Sequence, residues 1–117
     1  LGDDLFVHGG LPKPDQPPYV QMPDAVMWDR SMVQAAYRYS MLGQPVQFGP
    51  YRRIFVGHTP TTAIGSGYTT PQQWGNVVAM DTGGGWEGRI SVMDIDTEQF
   101  WQSDLVSDLY PDAAGRR

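Results

Sequence analysis

Two short apolar runs, each closed by a histidine beside glycine, constrain this chain more than any other feature. They are "DLFVHGGLP" at 4–12 and "RRIFVGHTPTT" at 52–62. Strand-forming residues that stop abruptly on glycine read as short buried strands, expected here over 4–8 and 53–57. In both, the histidine stands at the C-terminal end, where the chain turns. Open αβ sheets bind ligands beyond the C-termini of their strands. Glycine at such a point lets the backbone turn and a ligand come close, and imidazole suits Zn, Mn, Fe or Ni. His8 and His58 are therefore candidate metal ligands. A lone histidine at a strand end is more often structural, and two histidines do not make a site. A catalytic metal takes at least three protein ligands, and a two-metal centre needs carboxylates to bridge it.

The remaining pattern surrounds these strands with one helix and further strands. "GGLPKPDQPPYVQMPD" (9–24) holds five prolines in sixteen residues and is expected to be irregular. "DRSMVQAAYRYSML" (29–42) is the best helix. Met32, Ala36 and Tyr39 form one stripe, with Val33 and Ala35 at its edge. Asp24 or Asp29 is the expected cap and Gly43 the stop. Residues 43–51 read as a loop, and a short strand is expected near Ala63 and Ile64. Three more strands are expected at 76–81, 88–96 and 98–104, the last two joined by a tight turn at Thr97. Residues 105–117 lose the pattern and are expected to fray. The order predicts a layered α+β fold, mostly β in its second half, with a helix on one face of a mixed sheet.

The gross numbers exclude several functions. A chain of 117 residues supports one domain. With net charge −5 and eight Lys and Arg, it offers no basic stripe for nucleic acid. The absence of cysteine rules out disulfides and thiolate metal sites. No apolar run has the length of a membrane span, and no signal peptide is visible. These features predict a cytoplasmic protein with neither a membrane nor a nucleic-acid partner. The first strand begins almost at Leu1, with no preceding Met, so the chain is read as a piece of something longer.

Four blocks occur in order: "FVHGGLP" (6–12), "MWDRSM" (27–32), "RIFVGHTPT" (53–61) and "NVVAMDTGGGWEGRISVMDID" (76–96). Together they resemble the C-terminal half of the calcineurin-like metallophosphoesterases, most closely the bacterial and phage branch of the phosphoprotein phosphatases. The resemblance implies that residues 1–104 are the C-terminal portion of such a domain and 105–117 its tail. It implies a four-layer αββα sandwich with two divalent metal ions, Mn, Fe or Zn, at the strand ends. Carried over by position, His8 and His58 would be metal ligands. Arg30 would grip the substrate phosphate, a task suited to a permanent bidentate cation; the plainer reading is a surface helix arginine. The loop "DTGGGWEG" (81–88) would lie at the mouth of the site. Its glycines would offer N–H groups to an anion or serve as a flexible connection, and Trp86 would line the substrate groove. Trp28 and Met27 are expected in the core at the helix start. Asp81 is not a ligand in the family, and Arg52 and Arg53 are expected to be solvated.

The family's N-terminal motifs, GDxHG, GDxxDRG and GNHE, are absent, and with them the bridging carboxylates. The implied parent enzyme hydrolyses phosphomonoesters, as a serine/threonine-type protein phosphatase, by attack of a metal-bound hydroxide. This chain alone, with an incomplete site, is expected to be inactive, and its exposed face to favour oligomers or the N-terminal half of the same domain. A symmetrical dinucleoside polyphosphate hydrolase would share these motifs. A non-catalytic binding or scaffold module that kept the half-fold is the alternative outside enzymology.

Overall fold

The two apolar runs form adjacent parallel strands, β1 (Asp4–Val7) and β2 (Arg53–Val56), in the computed structural model, which describes residues 2–113. Helices α1 (Pro23–Trp28) and α2 (Ser31–Met41) lie between them in sequence. A short helix α3 (Thr61–Ile64) follows β2, then strands β3 (Gln72–Trp74) and β4 (Val77–Ala79). Strands β5 (Ser91–Met93) and β6 (Phe100–Gln102) and helix α4 (Val106–Leu109) complete the order. The main sheet runs β1-β2-β4-β3, with only β3 antiparallel, and β5 and β6 pair separately as an antiparallel ribbon. The fold is thus a mixed α+β arrangement of a four-stranded and a two-stranded sheet.

Strand alternation sorts the side chains onto two faces. Leu5, Ile54, Val56, Val77, Ala79 and Trp74 turn toward Met32, Val33 and Ala36 of α2 and make the core with Leu11. Tyr37, not the predicted Tyr39, packs against this core, where it meets Trp74 and Tyr68 edge-on; Tyr39 is exposed. The other face carries Asp4, Phe6, Arg53 and Phe55. Phe6 and Phe55 stack with ring centroids 4.8 Å apart.

Arg53 departs from the expectation of a solvated residue, whereas Arg52 is exposed as expected. Asp4 and Arg53 are register partners, and Arg53 Nη2 lies 2.6 Å from Asp4 Oδ2 with both side chains buried. Arg52 pairs with the same carboxylate at 2.8 Å but keeps most of its side chain in solvent. Arg53 also reaches Glu98, on the β5–β6 connection, at 3.1 Å and lies over the Phe55 ring. A charge at the head of a central strand is tolerated because a neighbouring strand supplies its counterion.

Several elements differ from the pattern-based reading. The proline-rich segment is not wholly irregular: it contains a 3-10 turn at Pro18–Val20 and the start of α1, whose first residue is Pro23, a position where a missing N–H costs no helical bond. Thr61–Ile64 is helical rather than extended; the Thr61 hydroxyl donates to Tyr68 O and Gly65 N closes the turn on Thr61 O. Strand β3 was not anticipated. Residues 94–99 link β5 and β6 as a wider loop than a turn at Thr97: Asp94 Oδ1 accepts from Asp96 N and Thr97 N, and Glu98 takes φ 61°. The expected frayed tail contains α4, tied to the glycine loop by Val106 N donating to Gly88 O; residues 114–117 lie outside the described residues.

Hydrogen bonds from Arg53 and then Arg52 hold the Asp4 carboxyl far below the usual carboxylate range. A depressed folded value stabilises above the unfolded value, near pH 4, and that stabilisation is lost as pH falls below it. Asp4→Asn is therefore expected to lower the urea midpoint at pH 7, with the difference from the parent chain shrinking by pH 2. An equal difference at both pH values would contradict this origin.

Candidate functional site

Parallel pairing brings the two histidines together. The ladder continues past Val7 and Val56 through Gly57 N donating to His8 O at 2.8 Å. His58 stands one residue further along, and its ring centroid lies 5.2 Å from that of His8, tilted by 48°. The sharp turn falls on His58 itself, which adopts φ 65°, while Gly57 does not need its lack of a side chain. A left-handed non-glycine residue costs backbone energy and persists where its surroundings hold it.

Those surroundings come from the junction of α1 and α2. Gly9 N and Gly10 N both donate to Val26 O, at 3.0 and 3.1 Å. A Cβ on Gly9 would meet Met27 O at 2.6 Å, and one on Gly10 would meet Asp29 Oδ2 at 2.5 Å. The glycines after His8 thus admit a protein segment rather than a ligand. That segment presents Trp28, whose ring meets His58 edge-on at 5.2 Å, and Arg30, whose Nε donates to His58 Nε2 at 3.3 Å. The N-cap position of α2 is Arg30, not either predicted acid; Asp29, one residue before it, fixes the junction by accepting from Ser31 N, Ser31 Oγ and Met32 N and so serves two first-turn N–H groups. Trp28 and Met27 are exposed, against the expectation of core positions; the core at this helix start is filled by Met32 and Val33.

Arg30 opens onto a cleft of about 840 Å³ that Trp86, Arg89, Pro60, Ala63 and Leu105 also line. His8 and His58 line a neighbouring hollow with Phe6, Phe55, Met80 and Asp81. All four residues singled out in the sequence, His8, His58, Arg30 and Trp86, therefore border two adjoining hollows joined by the Arg30–His58 hydrogen bond. The glycine loop is tied largely to itself. Gly83 N donates to Asp81 Oδ1, and Trp86 N and Gly88 N both donate to Gly83 O. Asp81 is a loop anchor here, and the Gly83, Trp86 and Gly88 N–H groups are taken up within the loop.

The residues present do not by themselves fit a two-metal centre. Among the described residues no group of three or more His, Cys, Asp or Glu comes together to hold a metal. The Nε2 of His58 instead accepts from a cation. The buried Thr59 hydroxyl, one residue on, has no hydrogen-bond partner among the described residues. No helix among the described residues is long and apolar enough to cross a membrane. Comparison with protein-family models and with curated proteins returns no match.

Sequence reasoning missed Trp28 and the hydrogen-bonded Asp29–Ser31 pair as parts of the site. The signal was present in Asp-x-Ser following a helix opened by Pro23. Asp29→Ala is expected to cost about 1 kcal/mol of stability, as for other side chains that serve first-turn N–H groups, and to shift the His58 ring resonances in NMR spectra as Arg30 loosens. Unchanged His58 signals would contradict the positioning role of this carboxylate.

Proposed function

We propose that this chain is the C-terminal portion of a metal-dependent phosphoesterase, of the serine/threonine-type protein phosphatase branch, acting on phosphomonoesters. The observation that carries the reading is the convergence of His8, His58 and Arg30 at the C-terminal ends of two parallel strands, where such folds bind ligands. The four-layer sandwich belongs to this proposal, with α2 and the main sheet contributing to one half of it.

In this reading His8 and His58 are the imidazole share of a metal centre whose carboxylates lie elsewhere in the parent polypeptide. Arg30 binds and orients the phosphate. Its Nε–H holds His58, and the guanidinium has four further N–H donors on its terminal nitrogens for phosphate oxygens. Trp86 bounds the space for the group attached to phosphorus.

The isolated chain is expected to release no p-nitrophenol from p-nitrophenyl phosphate with Mn²⁺ added. The parent polypeptide that carries the carboxylates is expected to do so, and Arg30→Ala to lower its kcat by roughly 10²–10³-fold, as for loss of one charge-stabilising donor. Undiminished turnover in that variant would overturn the role of Arg30.

A further inference from the structure

We infer that the cleft beside Arg30 takes a phosphate ester whose substituent carries a flat aromatic ring, and that Trp86 is the surface the ring lies on. The inference rests on the phosphate role of Arg30 and names the substrate class that role would serve. A phosphate group would occupy only a small part of a cleft of about 840 Å³, so the remaining walls decide what else fits. Those walls are mainly apolar: Pro60, Ala63, Leu105 and the Trp86 ring.

Thr62, Thr69 and Glu87 add polar groups to the lining, and two further polar residues are engaged within the protein. Thr82 Oγ1 donates to Arg89 O, and Arg89 Nη1 donates to Ser103 O at 2.9 Å. Against its apolar walls the cleft thus sets Arg30, the Arg89 guanidinium held by Ser103 O, and the Glu87 carboxylate.

Trp86 is presented rather than stranded. Its backbone N–H is fixed to Gly83 O at 2.9 Å, inside a loop that Gly88 N closes on the same oxygen, while the residue remains 41% exposed. A large flat ring held open beside a cationic site is suited to offset or edge-on stacking with an aromatic group. A short alkyl ester would leave that ring in water.

The test is an NMR titration of the whole 117-residue chain with inorganic phosphate, phenyl phosphate, cyclohexyl phosphate and adenosine 5′-monophosphate. Inorganic phosphate is expected to move the Arg30 Nε–H resonance. Phenyl phosphate is expected to do so about five- to tenfold more tightly than inorganic or cyclohexyl phosphate, and to move the Trp86 indole resonance as well. Trp86→Ala is expected to abolish the difference between the esters, and Trp86→Phe to retain it. The nucleotide carries its ring further from phosphorus, so the better binder of the two aromatic esters identifies which linkage the cleft accommodates. Equal binding of phenyl, cyclohexyl and inorganic phosphate, with Arg30 still responding, would overturn the inference and leave the phosphate role intact. No response of Arg30 to inorganic phosphate would sink the phosphate role and this inference with it.

Discussion

The buried ion pair between Asp4 and Arg53 is the constraint on which the rest depends. It joins register partners at the head of two parallel strands. A slip of one residue would exchange the faces of β1 and separate the pair, leaving a buried guanidinium without its nearest carboxylate. With that register fixed at one end, the chain has no choice at the other: His8 and His58 emerge side by side. The interaction that sets the fold and the interaction that sets the candidate site are thus opposite ends of the same two strands.

Glycine placement then explains how a third residue joins them. Gly9 and Gly10 let the 27–29 backbone settle onto the end of β1, and Asp29 locks that turn to the start of α2. From there Arg30 reaches His58, its Nε donating to His58 Nε2. The strained backbone of His58, with φ 65°, is held between the Trp28 edge, the His8 ring and the Arg30 hydrogen bond. Rigidity at this point comes from packing around the histidine, not from glycine beside it.

Much of this was legible in the sequence where burial alone decides structure. Strands β1, β2 and β4 are mostly Val, Ile, Leu, Phe and Ala, and α2 carries a helical apolar stripe, so all four stood out. What escaped was set by partners distant in the chain. Arg53 looked solvated because its counterions, Asp4 and Glu98, are 49 and 45 residues away. Strand β3 is Gln-Gln-Trp and owes its pairing to β4. Thr61–Ile64 has strand-like composition, but the bond from Thr61 to Tyr68 O favours a helical turn. Trp28 looked like core because of its size, while its place at the helix end exposes it beside His58. The pairing of the two histidines was visible as two similar motifs; the hydrogen bond from Arg30 was not, because it depends on how the α1–α2 junction sits on β1.

The central proposal is that His8 and His58 are the imidazole share of a metal centre completed elsewhere in the parent polypeptide. The most direct measurement is a titration of the chain with Mn²⁺ alone, following the imidazole resonances by NMR. Paramagnetic broadening of both rings at the same low metal-to-protein ratio, lost for His8 when His58 is replaced by alanine, is the predicted result. Broadening that first strikes the surface carboxylates and leaves both histidines sharp would contradict it.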